Sequence, residues 1–389
     1  MLALFEKQQP LVVKTWAFLT YASFAVFMTY FYVYLSGEKG LSAVEVGAIA
    51  ALQQLNTIFV APIWGILADR FGRKRIILVS MLATAAIYPI FTLPNSFAFT
   101  LAAIVLFTLF YNPIASLLDT IAIDFEEQTQ GKTPYGVTRL WSSVGWAVAT
   151  AIAGVFINNN IIPLKSIFVI STLIMVAASL VMLLAYKPLT IKSSLKQSQG
   201  KEIVHVLQLS QNLRRFLALV FIYSLFASPC FVIMNVFYDD INAPSNILGA
   251  AYAVQAVSEV PFFFFANRLV NRFGAKKLFI FCMIATATRM LIYGLTGNAI
   301  ISVCAGALHG VTFGLYMVSM IAFVHQIVPK ELRSTGQSLI YMFYYGGVSL
   351  GSFLIGWLHN YTSMTNAMIM TGTCMVVFAF LSIATTNKN

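Results

Sequence analysis

Apolar residues run along this chain in long blocks, with neither the two-residue alternation of strands nor the one-sided stripe of a water-facing helix. Twelve uncharged or nearly uncharged runs reach the roughly 17 residues that a helix needs to cross about 30 Å of hydrocarbon. They begin near Trp16, Val46, Ile76, Ser96, Leu140, Ile167, Phe216, Ile247, Leu278, Ile300, Ser334 and Tyr361. Outward β-barrels need short alternating strands instead, and these runs are too long and too continuously apolar for that. The expected fold is an all-α membrane protein of twelve transmembrane helices. A polar interval, Lys187 to Arg215, splits it into a six-helix bundle over 1–186, a linker over 187–215 and a second six-helix bundle over 216–389.

Composition agrees. Of 389 residues 59% are hydrophobic and 10% charged, with a mean hydropathy of +0.82, whereas soluble domains carry about 25% charged residues. The net charge of +11 points to topology rather than to nucleic acid. Threading the twelve spans puts twenty Lys and Arg residues on one side against Lys39 and Lys165 on the other. Loops rich in Lys and Arg stay cytoplasmic, so both termini are expected in the cytoplasm, with the cations against membrane lipids. The first apolar run is too long for a signal peptide and is expected to remain as the first span. Cys230, Cys282, Cys304 and Cys374 lie within spans without metal-ligand spacing, so no disulfide or metal is expected.

An internal repeat supports two halves. Gly65-Ile-Leu-Ala-Asp-Arg-Phe-Gly-Arg-Lys-Arg75 matches Asn267-Arg-Leu-Val-Asn-Arg-Phe-Gly-Ala-Lys-Lys277 at an offset of 202 residues, each between the second and third spans of its half. Gly65, Ala68, Asp69, Arg70, Gly72, Arg73, Lys74 and Arg75 resemble the signature loop of the major facilitator superfamily, and the second copy lies where that family has its own. The resemblance implies a gating loop, in which Asp69 helps to latch the cytoplasmic side in the outward-facing state. Physically, Gly72 permits a tight turn and the cations suit phosphate headgroups.

Ionisable residues inside apolar helices are costly, roughly 2.5–3.5 kcal/mol each at mid-bilayer, and normally face a protein interior or a watery path. Glu259, Arg289 and His309 sit about mid-helix in the eighth, ninth and tenth spans. In the first half Arg139 and Trp146 stand seven apart, nearly two turns, and so share a helix face. A guanidinium can bind hydroxyls or a carboxylate, and an indole offers a flat apolar face.

These positions are similar to the lactose-permease-like and phenylpropionate-permease-like branches of the superfamily, a likeness that covers the whole chain. It implies a substrate site of Asp119, Arg139, Trp146 and Glu259, and proton coupling through Glu259, Arg289 and His309. One departure is Thr312, where the lactose-permease-like branch carries an acid three residues after the histidine. Any proton carrier must then be Glu259 or His309. Blander readings stand beside these: Arg139 as a positive-inside anchor, Trp146 and His309 as packing, and Glu259 with Arg289 as a static ion pair.

The amides Gln53, Gln54, Asn56, Asn112, Asn235 (seventh span) and Gln255 are candidate cavity linings. Gly346, Gly347, Gly351 and Gly356 suggest close helix packing, and the 33 Phe and 17 Tyr read as mostly lipid-facing and interfacial. No Gly-rich Lys loop binds nucleotide and no catalytic cluster forms. The expectation is a monomeric, cofactor-free secondary transporter of the prokaryotic cytoplasmic membrane, not an enzyme. It would be a proton symporter importing a small sugar-like or aromatic organic solute by alternating access, with a drug or metabolite efflux antiporter of the same superfamily as the alternative.

Overall fold

The computed structural model describes residues 2–93, 96–128, 135–186, 206–208, 210–329 and 332–386. The described residues hold the α-helices α1 (Leu2–Gly37), α2 (Ala43–Phe71), α3 (Arg73–Ile87), α4 (Phe97–Gln128), α5 (Tyr135–Asn158), α6 (Ser166–Leu184) and α7 (Gln211–Phe231), followed by α8 (Met234–Asp240), α9 (Ser245–Phe273), α10 (Ala275–Thr296), α11 (Ala299–Ala305), α12 (Tyr316–Ile327), α13 (Arg333–Leu358) and α14 (Met364–Thr386). Twelve spans among the described residues are long and apolar enough to cross a membrane, matching the sequence pattern.

Two compact units form. The first holds residues 1–40, 59–195 and 244–256, and the second holds 41–58, 196–243 and 257–389. In the first, α1 packs along α5 and α6, and α3 packs on α4 and α6. Its centre is aromatic: Phe27 stacks on Phe31 at 4.5 Å and lies 4.8 Å from Phe107 and 4.9 Å from Tyr88. Phe91 and Phe168 close the cluster. All six rings are buried. Lipid tails are as apolar as these rings, so dispersion and edge-to-face geometry hold the cluster together rather than escape from water.

The second unit packs α7 on α13, and α10 on α14. Its core also stacks rings, Phe216 on Phe323 at 3.8 Å and Tyr223 on Tyr316 at 4.2 Å. These two cores correct the lipid-facing reading of the aromatic residues: composition carries no information about which helix face a ring occupies.

The repeat at offset 202 reappears in the backbone. Gly72 (φ 89°, ψ 133°) precedes α3, and Gly274 (φ 84°, ψ 143°) precedes α10. No atom would crowd a Cβ at either place, so the positive φ, not space, requires glycine. The same offset relates two helix crossings. In the first unit Gly249 of α9 lies against the Thr150 carbonyl of α5, and in the second Gly47 of α2 lies against Gly356 of α13. Along α13, Gly347 and Gly351 also press on backbone carbonyls of α7, whereas Gly346 makes only ordinary contact with Phe221. Asn235 is not in the seventh span: α7 ends at Phe231, and Asn235 lies buried in the short α8.

Candidate functional site

The tenth span is not a continuous α-helix. After α11 come a 3₁₀ turn (Gly306–Leu308), His309 and a π-helical segment (Gly310–Leu315), before α12 resumes. Such interruptions free backbone groups that must find partners inside a membrane. They do: Ser258 of α9 accepts from the Gly310 N–H at 3.0 Å, and the Tyr223 hydroxyl of α7 donates to the Thr312 carbonyl at 2.6 Å while sharing a 2.7 Å bond with Thr286. On the facing helix, Pro261 removes the N–H that would bond the Val257 carbonyl, loosening α9 beside Glu259. A Cβ on Gly310 would lie 2.1 Å from the Ser258 carbonyl oxygen, so glycine is what allows the two helices to touch there.

This close approach assembles the three mid-membrane ionisable groups. His309 Nε2 lies 3.2 Å from Glu259 Oε1, both side chains 12% exposed. Arg289 Nη1 lies 2.9 Å from His309 Nδ1 and donates to Thr312 Oγ1 at 3.2 Å. Its Nε donates to the Tyr293 hydroxyl at 3.0 Å, and Nη2 faces Met234 Sδ at 3.5 Å. Arg289 is fully buried, a placement that only dense hydrogen bonding makes tolerable.

A guanidinium has donors and no acceptor, so His309 Nδ1 must be the acceptor. The ring proton therefore sits on Nε2 and is donated to the Glu259 carboxylate. Phe313 stacks on the imidazole at 5.2 Å and Phe231 meets its edge at 6.0 Å, which holds the ring in that orientation. The sequence pointed to a direct Glu259–Arg289 pair; the structure instead inserts His309 between them. Thr312, the departure from the permease pattern, serves as an acceptor for Arg289. Ser258, Tyr223 and Tyr293 were not singled out from sequence, since a Ser or Tyr in an apolar run carries no signal of its own.

The remaining candidates lie in the other unit. Continuous α5 keeps Arg139 and Trp146 two turns apart on one face, both half-buried. Arg139 Nη1 donates to the Tyr21 hydroxyl of α1, and its Cζ lies 4.9 Å from the centre of that ring. Tyr21 is a partner that sequence reading missed. Gly145, beside Trp146, lets α5 rest on the Phe18 carbonyl of α1 and so brings Arg139's helix up to Tyr21. Asp119 is half-buried on α4.

In the glycine loop, Gly65 lies within α2, Arg70 is exposed with its Cζ 5.2 Å from the Phe71 ring centre, and Arg73 opens α3. The repeat partner Arg272 sits 5.3 Å from Phe273 in the same way. Lys74 donates to the Leu183 and Tyr186 carbonyls, capping the end of α6. The Asp69 side chain and the linker over 187–205 lie outside the described residues.

A family model described as the MFS_1 like family matches residues 11–370. The maltose permease of Geobacillus stearothermophilus is 26% identical over 329 residues, covering 83% of this chain and 80% of that protein. The sucrose permease of Escherichia coli is 22% identical over 344 residues, covering 83% and 80%. Among solved structures the nucleoside transporter NupG superposes with a TM-score of 0.80 at 17% identity, covering 97% of this chain and 98% of that one. With twelve spans and a match over most of its length, the chain belongs to the MFS_1 like family and is a multi-pass membrane transporter of the major facilitator superfamily.

Proposed function

We propose that this transporter is a proton symporter that imports a small sugar-like or aromatic organic solute across a prokaryotic cytoplasmic membrane. The observation that carries this reading is the buried Arg289–His309–Glu259 chain. A second proton on His309 would place an N–H against the guanidinium, so Glu259 is the group that takes up the transported proton. Protonation removes the carboxylate charge and with it the strong acceptor for His309 Nε2, which frees the chain to rearrange. Arg289 remains the fixed charge, and Thr312 holds one of its donors throughout.

Asp119, Arg139 and Trp146 are assigned to the solute together with Glu259: the guanidinium for hydroxyls or a carboxylate, the indole for the flat face of a ring. Similarity to proteins named maltose permease and sucrose permease supports a sugar-like solute. Both termini and both glycine loops are placed in the cytoplasm by the Lys and Arg distribution, with Gly65, Asp69, Arg70, Gly72 and Arg73 as the gating loop. The protein acts as a monomer driven by the proton gradient, without a cofactor.

The test is uptake into proteoliposomes of maltose, sucrose, uridine and 3-phenylpropionate under an imposed pH gradient. With one proton per solute, one pH unit supports accumulation of up to about tenfold. Glu259→Gln is expected to bring that ratio to unity while sparing solute counterflow. Undiminished accumulation by Glu259→Gln would remove Glu259 as carrier, and solute movement driven only against an inward proton gradient would replace import with efflux.

A further inference from the structure

At the end of the second unit away from Gly274, a second protonatable pair stands outside the spans. His359 Nε2, just past α13, lies 3.2 Å from Asp240 Oδ1, and the other carboxylate oxygen accepts from the Met364 N–H at the start of α14, at 2.9 Å. Both side chains are 23% exposed, so protons reach them. Asp240 is the last residue of α8, a helix about 10 Å long at 1.5 Å per residue.

The first residue of that same helix, Met234, faces Arg289 Nη2. Phe237, one turn on, stacks on Tyr293 at 5.3 Å with the rings 11° apart, and Tyr293 in turn accepts from Arg289 Nε. Met234, Phe237 and Tyr293 are fully buried. α8 is thus a short rigid strut with Arg289 at one end and the His359–Asp240 pair at the other.

We propose that His359 and Asp240 form a second proton-binding site, and that its protonation state sets how firmly α8 is docked on Arg289. This inference rests on the proton-coupled reading above for its use in transport, not for its mechanics. Neutral His359 donates a hydrogen bond to the carboxylate. The imidazolium makes the same bond between opposite charges, which adds the attraction of a partly exposed ion pair. Acid on that face, outside the cell under the topology above, tightens the latch and steadies α8 against the guanidinium. Loss of that proton leaves the hydrogen bond without the ion pair and loosens the latch.

The groups that face the pair leave this assignment intact. α8 brings Asp240 and the neighbouring exposed Asp239. Tyr361 follows beyond α13, the first turn of α14 carries no acidic side chain, and α2, whose Ala43 carbonyl meets Gly356 of α13, carries Glu45 in its first turn.

Hydrogen–deuterium exchange of the full-length protein in nanodiscs, at pH 6 and pH 8 with intrinsic rates corrected, tests the link without any solute. Protection of residues 234–240 and of 289–296 in the wild type is expected to be a few-fold higher at pH 6, up to roughly fivefold, the upper end of what a partly exposed ion pair adds. His359→Gln should flatten both segments, and His359→Arg should keep both protected at either pH. The Met234→Leu, Phe237→Leu double variant, which removes the sulfur and ring contacts, should leave the pH response in 234–240 and abolish it in 289–296. A pH response that persists in His359→Gln, or its absence from 289–296 in the wild type, overturns the proposal.

Maltose uptake at varied external pH and constant pH difference then reads the consequence. The wild-type rate is expected to follow external pH and the His359→Arg rate to be indifferent to it. Exchange that behaves as stated beside uptake that needs no proton gradient sinks the symport reading and leaves the strut. Proton-driven uptake without the exchange pattern sinks the strut alone.

Discussion

Gly310→Ala probes the geometry on which the Arg289–His309–Glu259 chain depends. The added methyl would lie 2.1 Å from the Ser258 carbonyl oxygen and 2.4 Å from Phe262 Cδ2. A ring edge can turn aside, but a backbone carbonyl in a helix cannot. The tenth span and α9 must therefore part by about 1 Å or more to restore ordinary contact. Glu259 follows Ser258 and His309 precedes Gly310, so the separation falls on the 3.2 Å His309–Glu259 bond and on the 3.0 Å bond from Gly310 N–H to Ser258. Overpacking costs about 1–3 kcal/mol, and the loss of a hydrogen bond to a charged group about 1.5–3 kcal/mol. A misplacement of this size within a working site lowers rates by about 100-fold.

Gly314→Ala is the matched control. Four residues along, its methyl would meet the Glu259 carbonyl oxygen and Phe262 Cβ at an unstrained 3.7 Å. Thermal unfolding and gradient-driven uptake should show Gly310→Ala destabilised and nearly inactive in accumulation, with Gly314→Ala close to wild type. Wild-type accumulation by Gly310→Ala, or equal damage from both, would refute the claim that this contact sets the His309–Glu259 distance.

Three further outcomes follow from other parts of the molecule. Tyr21→Phe keeps the ring over Arg139 and removes the hydroxyl that accepts from it, so half-saturation in counterflow should rise about tenfold with little change in Tm; an unchanged value would show that Arg139 needs no such support. Trp146→Phe should weaken apparent affinity about threefold and Trp146→Ala much more, while equal uptake by both would make the indole a packing group. Gly72→Ala and Gly274→Ala place a methyl on a backbone that side chains avoid, at about 1–3 kcal/mol each. Their Tm values should fall by similar amounts, and a drop in only one would contradict their equivalence.

The spans were legible because membrane insertion depends on local hydropathy, which a sequence displays directly. The glycine loops were legible for a related reason: a positive φ restricts the residue wherever the chain folds. Glu259, Arg289 and His309 could be read as candidates because charge in an apolar run is conspicuous by its cost. Their order of contact could not, since it depends on the π-helical segment after His309 and on Gly310 meeting Ser258, neither of which has a one-dimensional signature. The aromatic residues were misjudged because Phe27 and the exposed Phe264 look alike in a hydropathy profile. α8 was hidden inside the seventh apolar run, where nothing marks Val232 and Ile233 as a break.

The paired turns at Gly72 and Gly274 retain nearly superimposable torsions although Asp69 has become Asn271 and Arg73 has become Ala275 between the copies. Shape and charge in these loops are thus separable features of the repeat. An engineer could repaint the second loop with the first loop's acid and cations, letter by letter, and expect the chain trace to accept them. What would change is the electrostatic character of that loop, while the bend itself stayed where the glycine sets it.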